Sequence, residues 1–180
     1  MIILEFDEML KMQYYELCKY LQKKYGLPKH VYFKFRENGY NFFDKRNIRT
    51  GLIIHHIYEY EYGCNDLSDK HKPYNKKEQE PKALVYCNYL EHILLHSKIP
   101  TKNIPKILIS DVIWCFTNIR VLKSNKGVDT FKGRKELREE VLKEDGIKIL
   151  HTRLLPLIKD DYNFIALRKS IEWALKNSTN

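Results

Sequence analysis

An α+β fold is the class this sequence predicts, and three observations carry the expectation. Apolar residues recur at helical spacing over about residues 5–25 and again over much of the chain beyond residue 100. Between these lie three short runs rich in aromatic and β-branched residues, at 31–35, 51–57 and 83–87, which read as strands. Breakers and turn formers punctuate the boundaries: Gly26, Pro28, the Asn38-Gly39 pair and Pro100.

The N-terminal segment is expected to be one amphipathic helix over about 5–25. Phe6, Met9, Leu10, Leu17, Tyr20 and Leu21 form its apolar stripe, and Glu5, Asp7 and Glu8 complement the dipole at its start. VYFKF at 31–35 is extended, and the basic, polar stretch 36–50 follows it. Gly51 to Ile57 is a short buried strand, and 61–82 is a long polar connection of the length that functional or disordered loops have. ALVYC then runs into a helix, NYLEHILLHSK, which Pro100 stops. Beyond it, 104–122 (with Trp114), 133–143, 147–158 and 163–176 (with Trp173) are helical candidates. The expected organisation is therefore an N-terminal helix plus a small mixed module over 1–100, and a helical C-terminal region over 101–180.

Composition narrows the function. The 180 residues are 43% hydrophobic and 31% charged, an ordinary globular balance with no apolar stretch long enough to span a bilayer. An acidic start, MIILEFDEML, is unlike a secretory leader, so a cytoplasmic protein is expected. The net charge of +9 and a pI near 9.2 suit a polyanionic partner. Cys18, Cys64, Cys87 and Cys115 contain no C-x-x-C pair, which argues against a cysteine zinc site and for reduced, buried thiols.

Histidines carry the chemistry. His55, His56, His71, His92 and His96 cluster in the middle of the chain. His55 and His56 are consecutive on a strand, so their side chains leave on opposite faces. His92 and His96 stand four apart on a helix, one turn apart on one face, where two imidazoles can share a metal ion. Phosphodiester hydrolysis needs an activated water, a Lewis acid on the phosphate and stabilisation of the leaving 3′ oxygen. One metal ion and one neutral histidine supply all three.

The stretches GLIIHHI and ALVYCNYLEHILLH resemble the ββα-metal, or HNH, endonucleases, above all the histidine-rich type of the colicin DNases. They are also similar to a group of HNH-like proteins of Firmicutes phages and plasmids. The resemblance covers about residues 25–100. It implies a small ββα-metal module in which His55, His92 and His96 hold one divalent metal ion and His56 is the general base. The ion would be Zn²⁺ as purified, with Mg²⁺, Mn²⁺ or Ni²⁺ supporting turnover. One position departs from the family: nine residues before His92, where the family places the Asn that orients the base, stands Ala83. Asn75, or a backbone carbonyl of the long loop, is the expected substitute, and Asn88 lies on the wrong side of the strand–helix junction.

Arg36, Lys45, Arg46 and Arg49, interleaved with Tyr40, Phe42 and Phe43, are candidate contacts to nucleic-acid phosphates, as is the basic stretch 123–138. Glu59 is read as a solvated acid in preference to a partner of a histidine or metal, and Glu91 as exposed or salt-bridged. The expectation is a metal-dependent DNA endonuclease, leaving a 5′ phosphate and a 3′ hydroxyl and forming a homodimer if it cuts both strands. RNA as substrate, a catalytically weak nucleic-acid-binding or inhibitory protein on the same scaffold, and a helical adaptor with structural histidines are the alternatives.

Overall fold

The structure is a computed structural model, and it describes residues 3–34, 42–44, 52–62, 76–100, 148–154 and 156. Within them the chain forms helices and two separate two-stranded antiparallel sheets. The elements in chain order are α1 (Ile3–Lys11), α2 (Tyr14–Tyr25), β1 (Phe33–Lys34), β2 (Phe42–Phe43), β3 (Ile53–His56), the single turn α3 (Glu59–Tyr62), β4 (Leu84–Cys87) and α4 (Tyr89–Ser97). Two 3-10 turns, Lys76–Gln79 and Pro81–Ala83, lead into β4, and a π-helical turn spans Leu150–Leu154. The expected helices at 104–122, 133–143 and 163–176 lie outside the described residues.

The first correction to the sequence reading falls in its first helix. Residues 5–25 form two helices, not one, broken at Met12 and Gln13. Gln13 is extended, and its N–H is taken by the Glu16 carboxylate at 2.9 Å, which opens a fresh helix N-terminus. In an unbroken helix Tyr14 would fall roughly 140° around from Met9. The break re-phases α2, so that Tyr14 joins Phe6, Met9, Leu17, Cys18 and Leu21 in the buried core. Gly26 ends α2: it donates to the Gln22 carbonyl at 2.8 Å with φ of 77°, a left-handed conformation that L side chains rarely adopt.

β3 and β4 pair antiparallel in the register Ile53–Cys87, Ile54–Tyr86, His55–Val85 and His56–Leu84. Every residue of β4 is buried, which accounts for its unbroken apolar sequence, LVYC. The Gln22 side chain reaches its leading end, donating to the Leu84 carbonyl at 3.0 Å and the Lys82 carbonyl at 3.2 Å. One residue later the chain enters α4. Asn88 caps it, its side chain accepting from the Glu91 N–H at 2.9 Å while Glu91 accepts from the Asn88 N–H at 2.8 Å.

The core holds Val85, Cys87, Leu90, Ile93, Leu94, Leu95 and Ile99 from the strand–helix unit against the α1 and α2 side chains. Ile149, just before the π-helical turn, and Leu154 at its end join the core, and Arg153 pairs with Asp7 of α1 through both carboxylate oxygens at 2.6 and 3.1 Å. Cys18 and Cys87 are buried, and burial pushes the Cys18 thiol up to about 12. The polar connection is shorter than its composition suggests, because Glu59–Tyr62 and 76–83 at its two ends are folded. Among the described residues no helix is long and apolar enough to cross a membrane.

Candidate metal centre

β3 delivers His55 and His56, and α4 delivers His92 and His96. The antiparallel register sets the second strand beside the first, and the Asn88 cap fixes where α4 begins, so its first and second turns face the end of β3. His55, His92 and His96 each turn one ligand-type nitrogen into a common space, all within 4.8 Å of one another. Their rings gather accordingly, with centroids 5.3 Å apart for His55–His92, 5.1 Å for His55–His96 and 4.2 Å for His92–His96. Three nitrogens that close could hold a metal ion.

The hydrogen bonds of His55 bear on its tautomer. The Tyr14 hydroxyl lies 2.9 Å from the Ile57 carbonyl and 2.8 Å from His55 Nε2. A carbonyl only accepts, so the single Tyr14 proton goes to Ile57, and His55 Nε2–H donates to the Tyr14 oxygen. Complete burial holds the His55 pKa well below its ordinary value, with the neighbouring imidazoles acting in the same direction and the Glu59 charge opposing them. A neutral ring with its proton on Nε2 leaves a bare lone pair on Nδ1. That atom is buried and has no hydrogen-bond partner. An orphaned buried acceptor beside two further imidazoles is what a metal ligand looks like before its ion arrives.

His56 has different neighbours. Its Nε2 is 3.2 Å from Gln79 Oε1, its Nδ1 is 3.6 Å from Glu59 Oε1, and the Tyr32 ring meets it edge-on at 4.5 Å. The two consecutive histidines thus part as a strand requires, one toward α4 and one toward the turn that ends at Gln79. His56 is 1% exposed.

One residue stands differently from the sequence reading, and a second forms the expected salt bridge but is buried. Glu59 is not a solvated acid: its side chain is 12% exposed, and it lies 3.1 Å from His96 Nε2, 3.6 Å from His55 Nδ1 and 3.6 Å from His56 Nδ1. Burial alone would raise its pKa, but the surrounding histidines, His55 first, outweigh it and hold the carboxyl well below the usual range. Glu91 is salt-bridged but fully buried, receiving Lys24 Nζ at 2.9 Å and the Tyr25 hydroxyl at 3.0 Å.

Gln79, unnoticed in the sequence, is the side chain that meets His56. Ala83 has no polar group to offer there; its carbonyl accepts from Ile57 N–H at 2.9 Å and closes the end of the hairpin. Tyr14 was likewise unmarked, since nothing local distinguishes it from the other tyrosines of α2. The candidate phosphate contacts Arg36, Lys45, Arg46 and Arg49, together with 123–138, His71 and Asn75, lie outside the described residues.

Comparison of the chain with protein families, with curated proteins and with solved structures finds no match.

Proposed function

We propose that the protein is a metal-dependent phosphodiester hydrolase acting on DNA, with a ββα-metal module formed by β3, β4 and α4. The observation that carries the reading is the convergence of His55, His92 and His96, with the unpartnered Nδ1 of His55 among them. These three residues would hold one divalent ion. Such an ion supplies a Lewis acid for the scissile phosphate and for charge developing on the leaving 3′ oxygen.

The chain's own groups do the rest. Tyr14 fixes the His55 ring by accepting from Nε2, so Nδ1 is presented toward the ion. His56, on the other face of β3, takes the proton of the attacking water as general base. Gln79 Oε1 accepts from His56 Nε2–H, fixing the ring's orientation in place of the Asn that Ala83 lacks and leaving Nδ1 as the nitrogen that takes the proton. The excess of basic residues attracts the polyanionic substrate.

A second reading rests on a specific observation. His56 is buried beneath Tyr32 and Gln79, whereas a general base must meet water. On that reading the same centre stabilises a nucleic-acid-binding or inhibitory protein that turns over weakly or not at all. Nicking of supercoiled plasmid separates the two, run in EDTA, Mg²⁺, Mn²⁺, Ni²⁺ and Zn²⁺ beside His56→Ala. Metal-dependent relaxation that the variant lacks is the expected result. Metal binding and DNA affinity without relaxation under any ion would overturn hydrolysis and leave the binder.

A further inference from the structure

Glu59 faces a lone pair where a carboxylate would ordinarily face a donor. Its Oε2 lies 3.6 Å from His55 Nδ1, the nitrogen that the Tyr14–Ile57 hydrogen bond leaves without a proton. Two acceptors repel each other across such a gap, and 3.6 Å is too long for an N–H···O hydrogen bond between them. The same oxygen is 3.1 Å from His96 Nε2. Among the described residues the basic side chains within 4 Å of it are histidines alone, with neither lysine nor arginine to balance its charge.

A cation between the atoms resolves all of this. Donors about 2.1 Å from one ion stand about 3.0 Å apart at a right angle and about 3.4 Å apart at the tetrahedral angle. The 3.1 and 3.6 Å separations from Glu59 Oε2 fall around those values.

Resting on the metal centre proposed above, we infer that Glu59 is itself a metal ligand, its Oε2 joining His55 and His96, the two histidines it lies against, on the divalent cation that the three-histidine cluster would hold. The site is then three imidazoles and a carboxylate, with net charge −1 before the ion binds. The second oxygen, Oε1, stays on the His56 side at 3.6 Å from Nδ1, so one carboxylate links the ion to the neighbouring histidine.

The test is a titration of the full chain with Co²⁺, followed by its visible d–d absorption, for wild type, Glu59→Gln and Glu59→Asp. Glutamine keeps the size and an oxygen that can accept from His96, but it loses the charge and ligates poorly. Wild type is expected to develop d–d bands that saturate at one equivalent. Glu59→Gln should bind about ten-fold or more weakly, with bands shifted in position and intensity because the donor set has changed. Weaker binding with unchanged bands, or unchanged affinity, overturns the assignment and leaves Glu59 a hydrogen-bond acceptor beside an intact metal centre. No bands in wild type overturns the centre and this ligand together. Should Glu59→Gln lose the circular dichroism of the folded apoprotein, Glu59→Asp decides: it keeps the charge but withdraws the oxygen by one methylene, and an unshifted spectrum overturns the assignment.

Discussion

His55 and Glu59 make the site sensitive to acid, and the sign follows from their burial. The ordinary histidine value is 6.5, and folded His55 lies well below it. As pH falls through 6.5 the unfolded chain takes up a proton that the folded chain refuses, so stability is full above that value and declines below it. Glu59 is ordinarily near 4.5 and is held lower in the fold, so its contribution is present above 4.5 and is lost as pH falls through the folded value. Both act in one direction: the midpoint of thermal unfolding of the metal-free protein should drop continuously from pH 7 to pH 4. A midpoint flat between pH 7 and 5 would contradict the buried, neutral His55. His92→Ala should lower metal affinity, while His56→Ala, outside the three-histidine cluster, should leave it largely intact and remove hydrolysis. Equal loss of metal in the two would show that the histidines do not divide as described.

At the scale of elements, the strand–helix junction at Asn88 decides where the α4 histidines stand. Asn88 and Glu91 cap each other, and Glu91 is further tied to Lys24 and Tyr25 of α2. Asn88→Ala should cost about 1 kcal/mol in denaturant unfolding, the usual worth of an N-cap. Glu91→Ala should cost more, about 3 kcal/mol, because it strips a buried partner from Lys24 as well as the cap. Equal effects would mean that Lys24 gains nothing from Glu91.

Such elements were legible in part. Short apolar runs and breakers located β3, β4 and α4 within a residue or two, because LVYC and the i, i+4 histidines are local patterns. The break at Gln13 was not, because the apolar stripe runs through it and only the reach of Tyr14 to His55 and Ile57 gives it a purpose. Glu59, Gln79 and the depth of Glu91 were missed or misjudged for the same reason. Each is a polar residue with no local pattern to mark it, and only contacts from other elements (α4, β3 and α2) distinguish it from a solvated one.

For the whole molecule, the centre joins β3 to α4 across the chain, so an ion bound there stabilises the fold that positions its ligands. Zn²⁺ at a hundred times its dissociation constant should stabilise the protein by about 2.7 kcal/mol, and EDTA should reverse the gain. A midpoint of unfolding indifferent to both would mean that no ion binds the folded state preferentially. The charge of +9 adds an expectation of the same scale: DNA affinity should fall steeply between low and physiological salt. Affinity unchanged over that range would exclude phosphate contacts as its source.

The measurement closest to the central claim is the metal content of the purified full chain after equilibration with Zn²⁺ and removal of free ion. It is made by inductively coupled plasma mass spectrometry beside His55→Ala and His92→Ala, with circular dichroism confirming that each variant is folded. The convergence of His55, His92 and His96 predicts one ion per wild-type chain and far less than one in each folded variant. A zinc-free wild type, or folded variants that retain the full ion, would contradict it.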